Sequence, residues 1–222
     1  MIRFENVHKR YANSREALSG VSLNIEKGEM AFLTGPSGAG KSTLLKLIAL
    51  IERPTRGTVV VNDRNTSRIS RRGIPKFRQR IGIVFQDHKL LVDRSIFDNV
   101  ALPLVIAGLS RREIERRVRA SLDQVGLLER ESHPPLALSS GEQQRVGIAR
   151  AVAGRPDLVI ADEPTGNLDP ALSLEIMRLF TRFNDVGVTL LIATHDLDLL
   201  GHLDYRRIEL VDGKVNYDSA SE

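Results

Sequence analysis

The most specific chemistry in this chain lies in one lysine and two acidic residues far apart along it. Gly35-Pro36-Ser37-Gly38-Ala39-Gly40-Lys41-Ser42 fits the pattern G-x-x-x-x-G-K-[ST]. Its glycines let backbone N–H groups converge on phosphate oxygens, where side chains would intrude. A helix beginning after Gly40 adds the positive end of its dipole. Lys41 supplies a point charge to the β- and γ-phosphates of a nucleotide, Ser42 offers a hydroxyl to Mg2+, and Thr43 continues the cradle. The apolar run Leu158-Val159-Ile160-Ala161 ends in Asp162-Glu163. A strand of this kind beside the one before Gly35 brings Asp162 to the Mg2+ shell. Glu163 then faces the γ-phosphate, where it can polarise a water for in-line attack. Alone, two carboxylates after a strand as readily make a solvated turn or a helix cap; the phosphate cradle favours catalysis. Leu138-Ser139-Ser140-Gly141-Glu142 leads small residues into a helix. Ser139 reads as its N-cap, with free N–H groups and a hydroxyl turned outward as an anion site.

These residues need elements to position them. Ile2 to Val7 and Gly20 to Ile25 alternate apolar and polar residues, as half-buried strands do, and Lys27-Gly28 makes a turn. Met30 to Thr34 is a short apolar run ending at the glycine loop. Leu44, Leu45, Leu47 and Ile48 have helical spacing. Ser95 to about Gly154 reads as mostly helical, broken at Pro134-Pro135. Leu158 to Ala161 and Val188 to Ala193 read as buried strands with a helix over Pro170 to Phe183 between them. Continuous apolar strands separated by helices predict a mostly parallel sheet covered on both faces. The expected fold is α/β, with core segments 1–87 and 156–222 and a helical subdomain over 88–155. Leu90, Leu91 and Val92 form an apolar patch in a loop flanked by Lys89 and Asp93, part of which should face a partner. Ile96 and Val100 are expected to pack inside.

Taken together the motifs resemble those of the ATP-binding cassette family. Leu138 to Glu142 resembles its signature loop, which in that family completes the ATP site of the opposite subunit through positions matching Ser139 and Gly141. The resemblance extends from Tyr11 to Gly213. It implies a RecA-like core with N-terminal antiparallel strands, Mg2+-dependent ATP hydrolysis and a homodimer formed on ATP. It also implies roles for single residues. Tyr11 would stack on adenine, and Gln86 would touch Mg2+ and link to the helical subdomain. His195 would contact the γ-phosphate, and Gly166-Asn167-Leu168-Asp169 would meet the dimer partner. Ser140 departs from the family, which usually has glycine there. Phe85 to Arg94, Met30 to Gly35, Ile51 to Pro54 and Gly147 to Val152 look most like its bacterial cell-division members. That similarity implies an integral membrane partner at the division site and a peripheral place on the cytoplasmic face of the inner membrane. Glu142 to Arg145 and Ala161 to Asp169 are shared with lipoprotein-release and macrolide-export ATPases, which stay open as an alternative.

Composition sets the outer bounds. The 222 residues are 41% hydrophobic and 27% charged, an ordinary globular balance. No run approaches 18 consecutive apolar residues, and the start lacks an export signal. The chain has no cysteine, which excludes disulfides and cysteine-held metals. A net charge of +4 names no partner by itself. DNA-acting relatives separate the two halves of the ATP site with long coiled coils. No sustained heptads lie between Lys41 and Asp162, so no nucleic-acid partner is expected. A nucleotide-gated docking module without hydrolysis would usually lack Glu163.

Overall fold

The computed structural model describes residues 1–12, 16–166, 168–196 and 205–220. Alternating sequences form strands with one buried face, β1 (Ile2–Arg10) and β2 (Glu16–Ile25). With β4 (Arg56–Val61) and β5 (Arg64–Asn65) they make an antiparallel sheet in the order β2-β1-β4-β5. The apolar runs form β3 (Met30–Thr34), β7 (Leu158–Asp162) and β8 (Thr189–Ala193). These join β6 (Ile81–Val84), β9 (Arg206–Val211) and β10 (Lys214–Asp218) in a second sheet, ordered β10-β9-β3-β8-β7-β6. Its pairs are parallel except β9 with β10. β3 and β8 are buried at every residue, as strands covered on both faces must be.

Helix starts follow local capping chemistry. α1 (Lys41–Ile48) begins after Gly40, whose φ of 109° lies in the left-handed region that favours glycine. Ser95, Ser110 and Asp169 each accept a backbone N–H at the start of α3 (Ile96–Ile106), α4 (Arg111–Gln124) and α6 (Pro170–Asp185). Ser139 and Glu142 cap α5 (Ser140–Val152) reciprocally. The short α2 (Ile74–Arg78) precedes β6. One face of the parallel sheet shares a core with α3, α4, α5 and α6. The other packs with α1 and the antiparallel sheet.

One expectation needs correcting. β7 does not lie beside β3, because β8 runs between them. Register keeps the ends level all the same: Ala193 pairs with Leu33 on one side and with Asp162 on the other. The glycine loop, the carboxylate pair and His195 therefore leave the sheet at one edge.

Candidate functional site

The strand edge opens into a cavity of about 610 Å³ lined by Tyr11, Ala17, Ser37, Gly38, Gly40, Lys41, Ser42, Thr43, Gln86, Glu163 and His195. Sequence reasoning singled out every one of these but Ala17. Gly35, Pro36 and Ala39 complete the same loop behind them. A Cβ on Gly35 would stand 2.0 Å from the Leu210 carbonyl oxygen, and one on Gly40 would stand 2.5 Å from that of Ala17. The loop can thus be drawn tight over the sheet edge only with glycine at these positions.

Lys41 is buried, and its Nζ donates to the carbonyls of Gly35 at 2.7 Å and Pro36 at 3.2 Å. The Glu163 carboxylate lies 3.9 Å from that ammonium and 2.7 Å from His195 Nδ1. Glu163 is nearly covered while the His195 ring stands open, with side-chain exposures of 11% and 65%. Glu163 also has φ 49°, an uncommon backbone for a residue with a side chain. Its N–H donates to Ala193 at 2.9 Å, which holds the turn against β8. Strain of this kind collects where a side chain must be aimed.

Oxygen ligands for a hard cation stand at the same edge. Asp162 Oδ1 is buried without a hydrogen-bond partner among the described residues. Such an orphaned acceptor fits Mg2+ or its bound water; Ser42 and Gln86 line the cavity, and Asp162 stands at the strand end next to the lining residue Glu163. Tyr11 places its hydroxyl 3.4 Å from Thr43 Oγ1. The Lys9 ammonium sits 4.9 Å from the centre of the Tyr11 ring and is itself tied to Glu52 at 2.7 Å. Lys9 was not foreseen, because only the pairing of β1 with β4 brings it toward Glu52.

Ser139, Gly141 and Asp169 lie outside this cavity. The Ser139 hydroxyl accepts the Glu142 N–H at 3.3 Å, and Glu142 accepts the Ser139 N–H at 2.8 Å. That backbone N–H holds the Glu142 carboxyl below its usual range. Ser139 is exposed as expected, but Gly141 is not turned outward: it is buried, and a Cβ there would stand 2.1 Å from Leu172 Cδ2. Close packing of α5 against the start of α6 accounts for the difference. Asn167 lies outside the described residues.

Beyond Gln86 the chain enters a loop that sequence reasoning read only in part. His88 and Lys89 both have positive φ, 56° and 48°. Arg150 of α5 donates to both of their carbonyls, and His88 Nδ1 meets the Gln144 amide oxygen of the same helix. Further on, the fully buried Asn99 accepts the Leu91 N–H at 2.7 Å and donates to the carbonyls of Leu91 at 3.0 Å and Ser95 at 2.9 Å. The loop is held from both sides, with Leu91 and Val92 exposed by 41% and 57%. Ile96 and Val100 are buried, as anticipated.

Comparison with known proteins bears directly on this arrangement. Residues 18–166 match the family model described as ABC transporter. The chain is 56% identical over 216 residues to the cell division ATP-binding protein FtsE of Escherichia coli K12, covering 97% of each. It is 43% identical to the protein of the same name in Bacillus subtilis, covering 99% of this chain and 96% of that one. Among solved structures, a dimeric bacterial ABC transporter cassette superposes with a TM-score of 0.91 at 37% identity, covering 99% of this chain and 98% of the other. A dimeric post-hydrolysis cassette bound to ADP and phosphate gives 0.91 at 36%, with the same coverage.

Proposed function

The chain belongs to the ABC transporter family of ATPases, and from that premise we propose that it is an FtsE-like subunit whose ATP cycle drives an FtsX-like membrane protein during bacterial cell division. The observation that carries the ATPase reading is the Lys41–Glu163–His195 constellation at the strand edge, beside an unpaired Asp162 oxygen. Lys41 exchanges its loop carbonyls for the β- and γ-phosphates when nucleotide binds. Glu163 accepts a proton from the attacking water. His195 holds the Glu163 carboxylate in place and meets the γ-phosphate. Mg2+, when bound, neutralises phosphate charge; Ser42, Gln86 and Asp162 are the residues that would hold it. With one ring face occupied by Lys9, Tyr11 presents the other to the base.

Each site takes the exposed Ser139 and Asp169 from the opposite chain of an ATP-bound homodimer, while Gly141 lets α5 pack closely against Leu172 behind Ser139. That the solved neighbours are dimeric cassettes supports this reading. For the membrane partner, the supporting feature is the clamped loop that exposes Leu91 and Val92 directly after Gln86. Among the described residues no helix is long and apolar enough to cross a bilayer, so a partner would hold the chain at the cytoplasmic face of the inner membrane, within the divisome. There its cycle regulates cell-wall hydrolysis.

The ATPase assignment is tested by Glu163→Gln. Nucleotide binding should persist while hydrolysis falls by about 10²-fold or more, as when a general base is lost. A near-normal turnover rate would remove Glu163 from the role of base.

A further inference from the structure

Residues 64–80 hold seven of the 32 Lys and Arg residues and none of the 28 Asp and Glu. Without this stretch the remaining chain would be net acidic, so the basic excess is local. The other arginine-rich element, α4, is mostly paired. On α4, Arg111 pairs with Glu115, Arg116 and Arg117 with Glu113, and Arg119 with Glu131, all within 3.1 Å. In the 64–80 stretch only Arg80 has an ionic partner among the described residues, Asp157 at 2.6 Å. Arg64, Arg68, Arg71, Arg72 and Lys76 are all exposed and form no ion pair among the described residues.

These cations do not hang on a loose tail. Arg53 donates to the carbonyls of Thr66 at 3.0 Å, Ser67 at 3.3 Å and Ile69 at 2.6 Å, which fixes the turn after β5. Asn65 caps that turn by accepting the Ser67 N–H at 2.9 Å. Arg78 donates to the carbonyls of Ala49 at 3.0 Å and Leu50 at 2.9 Å, which ties α2 to the end of α1. Phe77 is buried, and Ile69 and Ile74 pack against the core beneath the antiparallel sheet. Buried anchors hold the backbone while unpaired cations face out. Cations concentrated in this way raise a positive local potential that favours an anionic surface.

We propose that this platform binds the anionic headgroups of a lipid bilayer. The choice of a bilayer rests on the membrane placement proposed above. A single-stranded nucleic acid fits less well, since Phe77, the one aromatic residue of the stretch, is buried and offers no ring for stacking. The platform is joined to the Leu91–Val92 loop through β6, whose four residues span about 13 Å. Lipid contact there would supplement a protein partner held by the loop.

The test uses the purified full-length chain and vesicles of phosphatidylcholine with or without phosphatidylglycerol. The chain should sediment with the anionic vesicles only, and binding should weaken as salt rises. Replacing Arg68, Arg71, Arg72 and Lys76 together by Gln should weaken binding by about a hundredfold or more, each cation near an anionic surface being worth about fivefold. Thermal stability and ATPase activity should not change, because these exposed side chains form no ion pair among the described residues. As a matched control, Gln at Arg111, Arg116, Arg117 and Arg119 removes the same charge from α4 and should leave vesicle binding within about twofold, these four being already paired with carboxylates. Equal loss in both quadruple variants would reduce the effect to net charge and overturn the proposal. So would absence of binding to anionic vesicles, or tighter binding to random-sequence duplex DNA than to vesicles at the same salt. The assay contains no membrane subunit, so its failure would leave docking through Leu91 untouched, and failure of that docking would not account for loss of vesicle binding.

Discussion

Lys41 shows how a residue suited to phosphate is aimed by its own loop. Its ammonium is buried and donates to two carbonyls of the loop that precedes it. The acceptors there are uncharged, and a phosphate offers anionic oxygens in their place. Lys41→Ala should therefore weaken ATP binding about ten- to a hundredfold, the value of one charge-assisted hydrogen bond. Isothermal titration reads this directly, and unchanged affinity would contradict the cradle. At this scale the sequence was informative, since the spacing from Gly35 to Ser42 already placed the ammonium and hydroxyl. The contact of His195 Nδ1 with Glu163 was not legible, because it depends on β8 lying between β3 and β7. Nor was the burial of Gly141, which depends on where the Leu172 side chain falls.

Among the elements, the apolar runs and caps announced β3, β7, β8 and the long helices. The strands β4, β9 and β10 were not read. Arg56 to Val61 begins with charge and glycine, and Arg206 to Val211 alternates only weakly. Their strand character comes from partners: β4 pairs with β1, and β9 lies parallel to β3. The loop after Gln86 has the same lesson, for its order comes from α3 and α5, distant in sequence. Asn99 has no exposed surface and satisfies one N–H and two carbonyls of that loop at 3.0 Å or less. Asn99→Ala should lower stability by about 1–3 kcal/mol, the cost of leaving buried polar groups unpaired. Urea unfolding checks this; a loss below about 0.5 kcal/mol, the scale of a surface change, would mean that Asn99 does not hold the loop.

At the scale of the molecule, two cores meet on the two faces of one parallel sheet, and the nucleotide cavity opens where the strands end. Gln86 stands in the cavity wall, and the exposed Leu91 and Val92 follow it within the clamped loop. A change at the γ-phosphate can then reach a partner through a short, ordered path. Leu91→Asp should abolish copurification with the membrane subunit and block division, while the isolated chain still hydrolyses ATP. Copurification of a folded Leu91→Asp variant with the membrane subunit would refute docking at this loop. The central claim, an ATPase that works as an ATP-bound dimer, is tested most directly by sedimentation velocity of Glu163→Gln with Mg2+ and ATP. The account predicts a stable dimer holding two ATP molecules, and monomer with ADP. A monomer at saturating ATP would contradict it.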